Sequence, residues 1–179
     1  EICINTKPNV HFFRKIIYTL RNKPDMRFLY ERYLNKQKRK NIFEYIQKLF
    51  PKEKINANLN FVEHHLAHLA SAYYCSSFND AAVLSIDGFG DFASTAWGFG
   101  LKNKLTLDEQ VFFPHSLGVL YTSITQFLGF PNYGDEYKVM GLAPYGNKKY
   151  VDKICNLLNL EKSGKFTLNL KYFLHSNQR

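Results

Sequence analysis

Between Val10 and Phe50 the apolar residues recur three and four positions apart, first in FFRKIIYTLRN and then in FLYERYLNKQKRKNIFEYIQKLF. That spacing predicts two amphipathic helical segments. NKPD (Asn22 to Asp25) separates them, and Pro51 closes the second. INANLNFVEHHLAHLASAYYCS then reads as a short extended entry followed by a helix. From Asp80 the texture becomes that of strands: AAVLSI is a continuous apolar run, DGFGD a glycine-rich turn and ASTAWGFGL a second strand. KNK makes another turn and LTLDEQVFF a third strand, so the stretch predicts a meander of hairpins. Helical periodicity returns over 117–130 and around 150–160, and KFTLNL near the end reads as a short strand. The class is α/β in its mixed α+β form, with no internal repeat and no low-complexity segment.

Length and composition narrow this further. At 179 residues, with 45% hydrophobic and 16% aromatic content, the chain suits one ordinary domain with a core and not a disordered segment. No apolar run approaches the roughly 18 residues needed to cross a bilayer. Three widely spaced cysteines, Cys3, Cys75 and Cys155, have no metal-pair spacing and read as free thiols of a reducing, cytoplasmic setting. The first residue is Glu1 and not Met, as expected for a piece of a longer protein.

The net charge of +9 is unevenly placed. Residues 1–60 hold 14 lysines and arginines against five acids, whereas residues 61–179 hold ten of each. The excess includes NKQKRKN (Asn35 to Asn41). A patch for nucleic acid or an acidic partner is one reading, and a solvated helix face is the plainer one.

Candidate chemistry begins at EHHLAH. His64 and His68 are four apart, which puts them on one face of a helix, where two imidazoles can hold one transition metal from the same side. His65 points about a hundred degrees away at ~3.6 residues per turn. Two ligands do not close a site, and Asp87, Asp91, His115 and Asp135 are the further donors in the chain. A surface helix whose histidines bind nothing is the alternative. Asp87 ends a strand, with Gly88 and Gly90 expected in the turn beyond it; glycines there can offer N–H groups to a phosphate, or simply make a hairpin. Ser116 is a predicted N-cap, and the helix start at Pro114, His115 and Ser116 is a natural anion site. In NYGDEYKVMGLAPYG, Lys138 and its glycines suggest either a pocket lining or a close-packed corner.

EHHLAHLASAYYCSSF, SIDGFGD, FPHSLGVLYTSITQFLGF and GDEYKVMGLAPYG, in this order, resemble the carbamoyltransferase family of the nodulation and antibiotic-tailoring type. The resemblance spans about 56 to 146. It implies a lobe of the sugar-kinase, Hsp70 and actin superfamily over 57–179, similar to the universal tRNA-threonylcarbamoylation protein, with 1–56 a basic helical segment belonging to or inserted in the same domain. It also implies carbamoyl transfer from carbamoyl phosphate, through an ATP-derived carbamoyl-adenylate, to a hydroxyl of a sugar or natural product. A divalent metal, iron or zinc-like, would be held by His64 and His68 with an aspartate from far downstream. Asp87, Gly88, Gly90, Ser116, Gly118 and Gly141 would line the cofactor side, and His65, His115 and Lys138 would be the catalytic candidates. The adenosine-binding lobe and the adenylate-forming domain have no counterpart in this sequence, so the chain alone is expected to be inactive and to need the remainder of the same protein. Two rivals remain: a non-catalytic module that docks nucleic acid or a partner through its basic helices, and a small metal-dependent hydrolase.

Overall fold

The computed structural model describes residues 1–40 and 42–176. The side chains at 28, 36 and 38–40 lie outside the described residues, and most of the basic run at 35–41 lies there with them. The chain opens with a short strand that the apolar pattern did not announce, β1 (Ile2–Ile4). Helix α1 (Phe12–Asn22) follows, then α2 (Met26–Lys40) and α3 (Ile42–Leu49), so the second helical segment is assigned as two helices on either side of residue 41. Strand β2 (Leu59–Phe61) leads into α4 (His64–Tyr74). β1 and β2 pair in parallel, with Ile2 opposite Leu59 and Ile4 opposite Phe61, which ties the start of the chain to the entry of α4.

The expected meander is present as β3 (Asp80–Gly90), β4 (Ala93–Leu101) and β5 (Lys104–Phe112), antiparallel in the order β3-β4-β5. One boundary differs from the sequence reading. Gly88 and Gly90 belong to β3, and the turn is Asp91-Phe92, both at positive φ (51° and 78°). Two left-handed residues between paired strands make the tight hairpin whose twist matches its strands, a place that glycine and asparagine usually take. Pairing also slips between Ile86 and Gly90, so that Asp87, Gly88 and Phe89 face the single residue Ser94. That bulge turns Asp87 out of the regular ladder.

α4 lies on this sheet through His65, Leu69 and Tyr73, spaced four apart and all buried. Leu69 and Tyr73 form the core with Val83 and Ala96, and Ala81, Leu105 and Leu107 pack around them. Gly100 is required here, because the Tyr73 ring occupies the space its Cβ would need. The Tyr73 hydroxyl lies within hydrogen-bond reach of the Asn79 and Lys102 carbonyls, at 2.7 and 2.8 Å, and so ties the end of α4 to both ends of the β3–β4 hairpin.

Helix α5 (Leu117–Phe127) packs its start against β3 and ends before Gly129, whose φ of 91° stops it. α6 (Glu136–Leu142) and α7 (Val151–Cys155) are short. The helix expected to reach residue 160 stops at Cys155, and Leu158–Leu160 instead forms β6, paired with β7 (Phe166–Leu168). Leu158 and Leu160 gain ladder bonds in that hairpin that a continued helix could not supply. α1 is held by aromatic contacts: Tyr18 meets Phe92 and Phe113 edge-on, and its hydroxyl donates to the Ser176 carbonyl at 2.7 Å. No helix among the described residues is long and apolar enough to cross a membrane. Cys3, Cys75 and Cys155 are free and exposed.

Candidate metal centre

The first turn of α4 is fixed by carboxylates. Glu63 is the N-cap and accepts from the Leu66 N–H at 2.6 Å, while Gln110 Nε2 donates to its other oxygen at 3.3 Å. Asp91 Oδ2 accepts from the His64 N–H at 3.1 Å. Negative charge at a helix start is favourable, because the first N–H groups have no partner within the helix. With His65, Leu69 and Tyr73 turned to the sheet, His64 and His68 share the neighbouring face, one turn apart, directly over Asp87.

Three donor atoms converge there. His64 Nε2 lies 2.8 Å from Asp87 Oδ2, His68 Nε2 lies 3.0 Å from His64 Nε2, and His68 Nε2 lies 3.8 Å from Asp87 Oδ2. All fall within 4.8 Å of one another. Ligand atoms about 2.1 Å from one transition metal, at angles of 90–109°, are separated by about 3.0–3.4 Å. Two imidazoles and one carboxylate form the donor set that suits iron(II) or zinc and leaves coordination positions open. The donors therefore fit such an ion. His64 Nδ1 lies 3.3 Å from the Asn5 carbonyl, which only accepts, so Nδ1 carries the hydrogen in that contact. Its Nε2 then faces a carboxylate oxygen. A metal ion there would take the Nε2 lone pair of a neutral imidazole together with the Asp87 oxygen.

Burial raises the Asp87 pKa, but the hydrogen bond from His64, the Gly88 N–H at 2.6 Å and the charge of His64 and His68 outweigh it and hold the carboxyl below its ordinary range. Gly88 gives its N–H to Asp87 Oδ1, leaving Oδ2 to the histidines. A Cβ at Gly88 would meet nothing within 4 Å. Gly90 is required by His64, whose ring fills the place of a Cβ.

The remaining predicted residues divide. Ser116 caps α5, accepting from the Val119 N–H at 3.1 Å, and its hydroxyl donates to the Asp87 carbonyl at 3.0 Å. At Gly118 a Cβ would come within 2.8 Å of the Asp87 O and the Gly88 N. Both residues therefore seat α5 against the Asp87 bulge. His65 is fully buried, with Nδ1 2.9 Å from Ser85 Oγ, and burial holds its pKa low. The Ala93 backbone opposes that shift, and Nε2 is buried without a hydrogen-bond partner among the described residues. His65 thus packs between α4 and the sheet, against Ser85. His115 accepts the Leu168 N–H at Nδ1 (3.1 Å), and burial followed by the His175 charge lowers its pKa. It lines a cavity of about 510 Å³ with Arg14, Tyr18 and Phe113, a cavity that none of His64, His68 and Asp87 lines. Lys138 is paired with Asp135 at 2.7 Å, which uses the charge the sequence offered to a pocket. Gly141 sits in α6, where a Cβ would meet nothing within 4 Å beyond its own turn of helix. Asp135 is thereby committed as well, and Asp91 accepts from the Thr6 hydroxyl and the Lys7 N–H, both at 2.7 Å. The parts missed by sequence reasoning are Asn5, Thr6 and Lys7. A backbone carbonyl carries no side-chain signal, and a three-residue strand is too short for periodicity to reveal.

Residues 16–179 match the family described as Carbamoyltransferase N-terminus. The chain is 52% identical over 116 residues to an uncharacterized protein of Synechocystis sp., covering 64% of this chain and 19% of that protein. It is 44% identical over 95 residues to Nodulation protein NolNO of Sinorhizobium fredii, covering 51% and 13% respectively. Against Nodulation protein NolO of Bradyrhizobium diazoefficiens it is 38% identical over 112 residues, covering 61% and 20%. The chain spans a fifth or less of the length of these relatives.

Proposed function

Because the chain belongs to the carbamoyltransferase family, we propose that it supplies the N-terminal, metal-holding part of an enzyme that carbamoylates a hydroxyl group. The donor is carbamoyl phosphate, activated with ATP as a carbamoyl-adenylate, and the acceptor is a sugar or natural-product scaffold. The surrounding lobe is of the sugar-kinase, Hsp70 and actin type in this reading. The observation that carries the proposal is the convergence of His64, His68 and Asp87 within 4.8 Å in a chain of this family.

A divalent ion bound there would act as a Lewis acid toward a phosphate or carbamoyl oxygen. The chain's own contribution is to hold the three donors in place. Two neutral imidazoles and one carboxylate would leave a dication with net positive charge, which favours a phosphate group beside it. The Ser116 cap and Gly118 hold α5 on the Asp87 bulge, which fixes the backbone that carries the carboxylate. His64 and Asp87 are partly buried, with side chains 19% and 39% exposed, and His68 at 48% forms the wet edge where a substrate can enter.

The test is carbamoyl transfer by the longer protein containing this chain, supplied with labelled carbamoyl phosphate, ATP and a hydroxylated acceptor. Label should move to the acceptor with release of AMP. His64→Ala and Asp87→Ala should reduce transfer by a hundredfold or more, on the order of what removing a directly acting group costs. The 179-residue chain alone should release no AMP. Unchanged transfer in both variants would sink the reading.

A further inference from the structure

Asp91 stands one residue beyond β3 in a left-handed conformation (φ 51°) that an aspartate tolerates but does not favour. Its carboxylate gathers three donors from two distant parts of the chain: the Thr6 hydroxyl on Oδ1 at 2.7 Å, and the Lys7 and His64 N–H groups on Oδ2 at 2.7 and 3.1 Å. Residues 6 and 7 follow directly on Asn5, whose carbonyl meets His64 Nδ1. On the other side of the same turn, Gly90 leaves the space that the His64 ring fills.

We infer that Asp91 is a positioning residue of the metal centre. Through one carboxylate it anchors the backbone of His64 at the start of α4 and holds the segment 5–7 against the imidazole. The Asn5 carbonyl can then keep the hydrogen on Nδ1 while Nε2 turns its lone pair toward Asp87 and His68. A metal-bound histidine whose other nitrogen donates to a fixed carbonyl is locked in ring orientation and tautomer, and loss of such support commonly costs 10–100-fold in metal affinity. The segment before residue 8, short and remote in sequence, thereby becomes part of the site. This inference rests on the proposed metal reading, and its test separates the two.

Three variants are informative. Asp91→Asn keeps an oxygen for the Lys7 and His64 N–H groups, and its amide can donate to the Thr6 hydroxyl. Asp91→Ala removes the carboxylate, and Asp91→Gly removes it while suiting the left-handed backbone. The purified chain is titrated with Co2+ by visible absorbance, and amide hydrogen exchange is followed at Lys7 and His64 without metal. Asp91→Asn should bind Co2+ within about threefold of the parent, whereas Asp91→Ala and Asp91→Gly should bind about 10–100-fold more weakly. Lys7 and His64 exchange should accelerate in the last two only. Parent-like affinity and exchange in Asp91→Gly would overturn the assignment. Weakening of Asp91→Asn to the level of Asp91→Ala would also overturn it, since charge and not the hydrogen bonds would then be responsible. A parent chain that takes up no Co2+ contradicts a site closed by this chain's own three donors, and the exchange rates still decide whether Asp91 clamps segment 5–7.

Discussion

His64 and His65 are neighbours in sequence and opposite in environment. His64 meets a carboxylate and the open side of α4, while His65 is closed in against Ser85. Burial lowers the pKa of His65, and burial lowers those of His11 and His115 in the same direction. The sign follows from linkage. Below about pH 6.5 the unfolded histidines bind protons that the folded ones refuse, so the stability they confer is complete above that pH and is lost as pH falls toward their lower folded values. Asp87 acts in a more acidic window. Its depressed folded pKa stabilises above the usual carboxylate value, and that gain is lost as pH falls through the folded one. Urea unfolding of the chain should therefore show its midpoint dropping between pH 7.5 and 5. His65→Gln, which can still meet Ser85, should make that slope shallower. A flat profile in the parent would contradict the buried-neutral assignment.

At the level of elements, the candidate centre depends on how two helices are seated on β3. α4 is oriented by its buried face and by the acids at its start, and α5 by the Ser116 cap and the bare Gly118 over the Asp87 bulge. Ser116→Ala removes both the cap and the partner of the Asp87 carbonyl, and should cost about 1–2 kcal/mol in denaturant unfolding. Gly118→Ala should weaken metal uptake as well as stability, because the new methyl group presses on the backbone that carries Asp87. Stability equal to the parent in both variants would mean that α5 is not held in this way. Much of this level was legible beforehand: the three-stranded meander, the N-cap at Ser116 and the shared face of His64 and His68 all follow from apolar period and capping chemistry. The rest was not. Asp-Gly at 87–88 resembles a turn, but the bulge carries β3 past it, and only tertiary pairing decides that Asp91-Phe92 turns instead. Leu158–Leu160 could continue a helix by period alone, and it is a strand because Phe166–Leu168 lies opposite. The Asp87 side chain reaches the histidines only through the sheet register, and no spacing in the sequence states that.

Across the molecule, family membership and local chemistry point the same way. The chain matches the carbamoyltransferase N-terminus over 16–179, and its three converging donors form a 2-His-1-carboxylate set of the kind that holds iron(II) or zinc. Many apolar side chains stay exposed, among them Phe127, Tyr133 and Tyr145 at 85%, 104% and 87%. The basic run at 35–41 lies mostly outside the described residues. The account stands on the ion. Elemental analysis of the chain, purified without an affinity tag, beside His64→Ala, His68→Ala and Asp87→Ala, addresses it most directly. About one equivalent of iron or zinc in the parent, lost in each variant while the fold is retained, is the expected result. Metal retained by all three variants would contradict the centre, and no metal in the parent after reconstitution would contradict a site closed by these three donors alone.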